Sequence, residues 1–175
     1  MKEREAWDAV DAAGRPLGFD LYRDEAEQIP DGVYHRVVEI YVVTKQQEFL
    51  TTLRDPRKPF GLMWEITGGS VLKGESSLAG AVRELREETG ISKRSEELTL
   101  LTQMPVGHTL YDIYITTVPD RNIPITLQPG ETVDYRFLAR KEFIHEIYTE
   151  RFAGTIGERL SQYKLQLDAY LDALK

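Results

Sequence analysis

No cysteine occurs anywhere in the 175 residues. Disulfides, thiolate metal sites and cysteine nucleophiles are therefore excluded. A surplus of positive charge is also missing. There are 22 Lys and Arg against 29 Asp and Glu, a formal net charge of −7. A nucleic-acid coat protein needs a basic face, so no nucleic-acid polymer is expected as a partner. A small phosphate-bearing molecule stays open, because a metal ion screens charge locally. No apolar run reaches membrane-spanning length, and "MKEREAWDAV" lacks the apolar core of a signal segment. The expectation is a cytoplasmic protein with no membrane partner. Repeats and low-complexity tracts are absent too. What remains, 41% apolar and 29% charged residues, is ordinary for a globular chain long enough to bury a real core, and one domain over 1–175 is expected.

The order of patterns mixes strands and helices. "WDAVDAAGRPLGFDLY" reads as two short strands about a turn at Gly14, and with the polar "RDEAEQIPDG" it makes an N-terminal hairpin and connection over about 1–35. "YHRVVEIYVVT" is β-branched and aromatic, a buried strand from about Arg36 to Thr44. "EFLTTLR" is the next strand, "DPRKPFG" a basic loop with two prolines, and "LMWEIT" a strand running into Gly68-Gly69. A helix from about Ser76 to Thr89 follows, then strands at "LTLLTQM", "TLYDIYITTV" and "DYRFLA". The pattern is helical over about 141–175. The fold class is α/β, a mixed β-sheet with helices packed on it.

The central helix breaks local rules. Leu78, Val82 and Leu85 make an apolar face at i, i+4 and i+7, and Gly90 stands where a left-handed cap belongs. Yet Glu84, Glu87 and Glu88 crowd another face just before that stop. Like charges at such spacings repel, and the helix C-terminus disfavours anions by roughly 0.3–1 kcal/mol each. Arg83, one turn before Glu87, can pair with it. Ahead of the helix, Gly68-Gly69 lets the backbone approach closely and turn a carbonyl inward. Clustered carboxylates with a carbonyl form an all-oxygen site suited to Mg²⁺ or Mn²⁺ rather than zinc. The rival use is a solvated acidic face laced with i,i+4 ion pairs.

The spacing decides between them. Gly69, five residues, Glu75, seven residues, then Arg83-Glu84-Leu85-Arg86-Glu87-Glu88-Thr89-Gly90-Ile91 resembles the Nudix box, G-x5-E-x7-R-E-U-x-E-E-x-G-U, with every fixed position filled. With average residue usage, a chance match is on the order of 10⁻⁷. The box occupies 69–91, and the resemblance implies a Nudix-type α/β/α sandwich with an additional C-terminal helix. It also implies residue roles. Glu84, Glu87 and Glu88 match metal-binding and base carboxylates, and Gly68 the residue that lends a carbonyl. Arg83 matches the arginine that orients the carboxylates, and Glu75 a glutamate counted with the metal set in a lesser, supporting role. More widely, "YHRVVEIYVV", "LRDPRKPFGLMWEITGG" and "LQPGETVDYRFL" resemble the branch similar to isopentenyl-diphosphate isomerase. Those isomerases use an active-site cysteine, which this chain lacks, so hydrolysis of a diphosphate is the better expectation.

Secondary candidates lie outside the box. Arg54, Arg57 and Lys58 of the basic loop are placed to hold phosphates, Arg54 best of the three, with a solvated loop as the rival use. Glu131 in "PGETVDY" matches a loop that supplies a ligand or base in some Nudix enzymes. His35, His108, Tyr111 and Tyr114 could line a pocket or simply pack; the two tyrosines fall on opposite faces of one strand. Ile156, Leu160, Tyr163, Leu167, Tyr170 and Leu174 form a seam, which serves either the protein's own sheet or a homodimer contact. The expected function is a Mg²⁺- or Mn²⁺-dependent hydrolase of a small-molecule diphosphate, a nucleoside diphosphate derivative or related metabolite. The alternative is a non-catalytic nucleotide sensor.

Overall fold

The computed structural model describes residues 4–174; Met1, Lys2, Glu3 and Lys175, at the outer ends of the 1–35 and 141–175 segments, lie outside the described residues. The chain begins with an antiparallel hairpin, β1 (Ala6–Val10) and β2 (Pro16–Tyr22). Gly14 turns it with φ 76°, a conformation that costs glycine little. The connection expected after it holds a short 3-10 turn over Arg23–Gln28.

A second, mixed sheet of seven strands forms the centre. β3 (His35–Thr44) runs parallel to β8 (Thr109–Val118) along its whole length, and β7 (Thr99–Val106) lies antiparallel beyond β8. On the other side come β4 (Glu48–Arg54), β5 (Trp64–Glu65), β6 (Thr67–Ser70) and β9 (Thr132–Ala139). β9 pairs with β4, and β6 pairs with the first half of β3. Side chains alternate across a strand. So Val38, Ile40 and Val42 of β3 reach one layer, where they meet Ala81 and Leu85 of α1 (Ser77–Thr89). Tyr41 and Val43 reach the other, where they meet Phe143 of α2 (Arg140–Glu146) and Leu160 and Tyr163 of α3 (Ile156–Asp172). Tyr111 and Tyr114 divide between the same two layers. The result is the α/β/α sandwich expected, with the extra C-terminal helix in place.

Two expected elements are divided. "LMWEIT" makes two strands, because the chain changes partner at Ile66: Glu65 pairs with Thr52 of β4, and Thr67 with Ile40 of β3. The C-terminal helix is interrupted between α2 and α3. The Trp64 N–H donates to the Arg151 carbonyl at 2.7 Å, and the Ala153 N–H donates to the Trp64 carbonyl at 2.8 Å. The Arg151 carbonyl and the Ala153 N–H are thus satisfied on the end of the sheet rather than within a helix.

The C-terminal seam is spent within the chain. Of the expected seam, Ile156, Leu160, Tyr163 and Leu167 are buried, with Leu171 continuing the buried face, while Tyr170 and Leu174 are only half-buried against it; the Tyr163 hydroxyl meets that of Tyr41 at 2.8 Å. Leu160→Ala should therefore cost about 2–5 kcal/mol in chemical denaturation, the range for a buried leucine. The cost should not vary with protein concentration. A concentration-dependent loss would return the seam to a dimer contact.

Candidate active site

The sheet and α1 meet at the glycine pair. Ser76 caps α1 by accepting from the Ala79 N–H at 3.2 Å, and Gly90 ends it with φ 74° and an N–H to the Arg86 carbonyl at 2.9 Å. The hairpin fixes the loop leading into the helix. Asp8 accepts from the Gly74 N–H at 2.7 Å, the Lys73 N–H donates to the Ala6 carbonyl at 2.9 Å, and Lys73 pairs with Asp20 at 2.6 Å. A Cβ on Gly68 would lie 2.2 Å from the Val38 carbonyl oxygen. One on Gly69 would lie 2.4 Å from the carboxyl carbon of Glu84. Gly68 lets β3 approach, and Gly69 lets the Glu84 carboxylate rest against β6.

Arg83 gathers the acids. Its Nε and Nη2 donate to the two oxygens of Glu75, each at 2.9 Å, and its Nη1 donates to Glu84 at 2.8 Å and Glu87 at 3.2 Å. Nη2 also donates to the Ser70 carbonyl at 3.0 Å. Glu75 gives both oxygens to Arg83, one of them shared with the Leu72 N–H. Glu88 is buried, only 4% exposed, and accepts from the Gly68 N–H at 3.2 Å. Burial pushes the Glu88 carboxyl well up, with the negative charges of Glu65 and Glu84 adding to the effect. Burial likewise raises Glu84 despite Arg83. Among the described residues, no three Asp, Glu or His side chains are already gathered into an ion cage. The glutamates are turned onto Arg83 and Gly68 instead.

Arg83, Glu84, Glu87, Glu88, Gly68 and Ser70 line a cavity of about 460 Å³. Gly68, Glu84, Glu87 and Glu88 form an acidic wall; Arg54 and Lys58 face into the same space. Arg54 is ion-paired to Glu65 and donates to the Pro59 carbonyl at 2.8 Å. Lys58 is ion-paired to Glu131, also on the wall. Arg57 points elsewhere, onto Asp55 at 2.7 Å. His35 stacks on Trp7 with ring centroids 4.4 Å apart, and His108 Nδ1 lies 3.4 Å from the Val33 carbonyl. Tyr114 meets Ser77 at 2.9 Å, within the core. The sequence reading missed Glu39, Glu65 and Arg159. Glu39 and Glu65 carried a signal, each being a lone charge inside an apolar strand; Arg159 carried none.

A model of the Nudix domain matches residues 33–158. The chain belongs to the Nudix family. It is 29% identical over 155 residues to Nudix hydrolase 3 of Arabidopsis thaliana, covering 79% of this chain but 20% of that protein, so it spans about a fifth of that relative's length. It is 26% identical over 140 residues to an uncharacterized Nudix hydrolase of Listeria monocytogenes, covering 79% of this chain and 82% of the other. In fold it resembles the crystal structure of DR0079 from Deinococcus radiodurans, with a TM-score of 0.71 at 19% identity over 91% of this chain and 99% of that one. Two of these relatives are thus named Nudix hydrolases, one of them uncharacterized. The narrower likeness to the isomerase branch is not what these relatives single out.

The raised carboxyls have a measurable consequence. Glu84 and Glu88 hold a proton more tightly folded than unfolded, so their contribution to stability is full at acid pH and is lost as pH rises through their folded values. In chelator, the melting temperature should fall as pH climbs from the ordinary glutamate value of 4.5 towards neutrality. Burial raises Glu39 and Glu65 as well, so the Glu88 share is read as a difference between proteins. Glu88→Gln should flatten the slope and raise the melting temperature at neutral pH, because it removes the buried charge. Parallel pH curves for the two proteins would refute the assignment.

Proposed function

We propose that this Nudix enzyme is a divalent-metal-dependent hydrolase that cleaves a diphosphate linkage in a nucleoside diphosphate derivative or related metabolite. One observation carries the reading: a polar cavity with three glutamates of a single helix on one wall and two cations on another. The donor set fits Mg²⁺ or Mn²⁺, being all oxygen, and Arg83 alone leaves Glu84 and Glu88 with raised affinity for positive charge. Glu84, Glu87 and Glu88, with the Gly68 carbonyl, would hold the ion. When bound, it lowers the pKa of water and neutralises phosphoryl oxygens.

The remaining work falls to the chain. Arg83 keeps the carboxylates within reach of one another, and Glu75 keeps Arg83 in place. A glutamate of the box takes the proton from the attacking water, as general base. Arg54 and Lys58 bind phosphate oxygens across the cavity, and Glu131 holds Lys58 until they arrive. No thiol is present to move a proton on an alkene, so the proposal is hydrolysis rather than isomerisation.

The test is phosphate release over a panel of nucleoside diphosphate derivatives. Chelation should abolish turnover and Mg²⁺ or Mn²⁺ should restore it. Glu84→Gln, Glu87→Gln and Glu88→Gln should each lower kcat by at least ~10²–10⁴-fold, the loss typical of a missing acid–base group. Full activity in chelator, or near-normal turnover in all three variants, would sink the reading. Binding without turnover by the wild-type protein would make it a sensor.

A further inference from the structure

The N-terminal hairpin carries a local misfit. Asp8 of β1 and Asp20 of β2 are direct partners in its antiparallel register, so two like charges stand side by side on one face. Opposed like charges destabilise a strand pair. A broken rule in an otherwise regular element points to a use outside it. That use is visible in the loop leading into α1. Lys73 pairs with Asp20 at 2.6 Å, and Asp8 accepts from the Gly74 N–H at 2.7 Å. The Lys73 N–H donates to the Ala6 carbonyl at 2.9 Å, so the backbone of β1 holds the loop as well.

The bond to Gly74 acts on a turn. The Glu75 N–H donates to the Leu72 carbonyl at 3.0 Å, closing the turn Leu72–Glu75, and Gly74 sits at its third position with φ 78°. That positive φ belongs to a type II turn, which differs from type I by a flip of the central peptide. Glycine accepts either form. The N–H of that central peptide is the one Asp8 holds, so the carboxylate selects one of the two. Glu75 is the next residue. Its oxygens take Nε and Nη2 of Arg83, while Nη1 holds Glu84 and Glu87. Asp8 lines a separate cavity of about 80 Å³, with Glu75 on the same lining, and not the large one that holds the acidic wall. Its effect on that wall therefore passes through Glu75 and Arg83.

We propose that Asp8 is a positioning residue for the divalent ion: by holding the Gly74 N–H it fixes the turn that carries Glu75, and through Arg83 it sets where Glu84 and Glu87 stand. The proposal rests on the hydrolase reading for the ion itself. Partners immediately behind metal ligands carry about 10–100-fold in metal affinity. Asp8 stands further back, so the low end of that range is expected.

The experiment reads Mn²⁺ binding by electron paramagnetic resonance, with no substrate present, beside thermal melts in chelator. Asp8→Ala should weaken Mn²⁺ binding by about 10-fold. Asp8→Asn should recover most of the loss, because its amide oxygen still accepts from Gly74. Asp8 is half-buried and its removal relieves Asp20, so the alanine variant keeps the fold. Leu167→Ala, in the opposite layer, should lower the melting temperature and leave Mn²⁺ affinity unchanged. In a Glu75→Ala background, Asp8→Ala should cost little further, since contacts that act in series are not additive. Turnover adds a second readout: Asp8→Ala should raise the Mg²⁺ concentration needed for half-maximal rate. Mn²⁺ affinity that Asp8→Ala does not move, that Asp8→Asn does not recover, or that Leu167→Ala lowers equally would overturn the role of Asp8 and leave the hydrolase standing. So would an undiminished loss in the Glu75→Ala background. The expected Mn²⁺ shifts in a protein that hydrolyses no diphosphate would support Asp8 and defeat the hydrolase. Wild-type protein that bound no Mn²⁺ would overturn both.

Discussion

The structure depends on one cation surrounded by acids. Arg83 makes five hydrogen bonds, to Glu75, Glu84, Glu87 and the Ser70 carbonyl, and so ties the loop before α1, the helix itself and the end of β6 into one unit. Only a planar fork can serve partners on so many sides; a lysine ammonium has three donors on a single atom. The hairpin β1/β2 reinforces the same unit from outside through Asp8 and Lys73. What looks like an N-terminal ornament is a clamp on the loop that carries Glu75.

The acids continue through the sheet. Glu84 and Glu88 act on each other, Glu65 acts on Glu88, and Glu65 acts again on Glu39 beneath α3. Each is ion-paired to a cation, Arg83, Arg54 or Arg159, except Glu88, whose hydrogen bond comes from a backbone N–H and which feels Lys58 only at a distance. Glycine is the reason the row can be so tight. At Gly68 the neighbouring strand, and at Gly69 the Glu84 carboxylate, occupy the space of a side chain. Glu88 is therefore the least compensated charge in the row, and it lies where the proposed ion would sit.

Local rules made much of this legible. Ser76 and Gly90 bound α1 because capping is decided within a few residues, and the box spacing singled out its glutamates before any fold was known. The divided strand at Ile66 and the break before α3 were hidden, because the first arises from a change of pairing partner from β4 to β3 and the second from backbone bonds of Trp64 with Arg151 and Ala153, distant in sequence. The ion pair of Glu39 with Arg159 was hidden for the same reason. Glu39 and Glu65 stood out as charges in apolar strands, but the arginine that meets Glu39 is 120 residues further on. A buried charge can be suspected from pattern; its partner is a property of the fold.

The charge balance also bears on how a polyanion enters a protein of net charge −7. Two of the cations lining the cavity, Arg54 and Lys58, are not equally available. Arg54 is fixed by Glu65, itself buried, and by the Pro59 carbonyl. Lys58 is held by Glu131, whose side chain is 39% exposed and sits on a loop. Water can take over an exposed carboxylate far more cheaply than a buried one. On the hydrolase reading, a diphosphate therefore docks on a fixed Arg54 and displaces Glu131 from Lys58. The released Glu131 still faces the same cavity, which adds negative charge as the substrate arrives. On that same reading, the increment, together with Glu84, Glu87 and Glu88, would make a divalent cation a condition of binding as well as of chemistry: without it, phosphate and acidic wall would repel across the cavity.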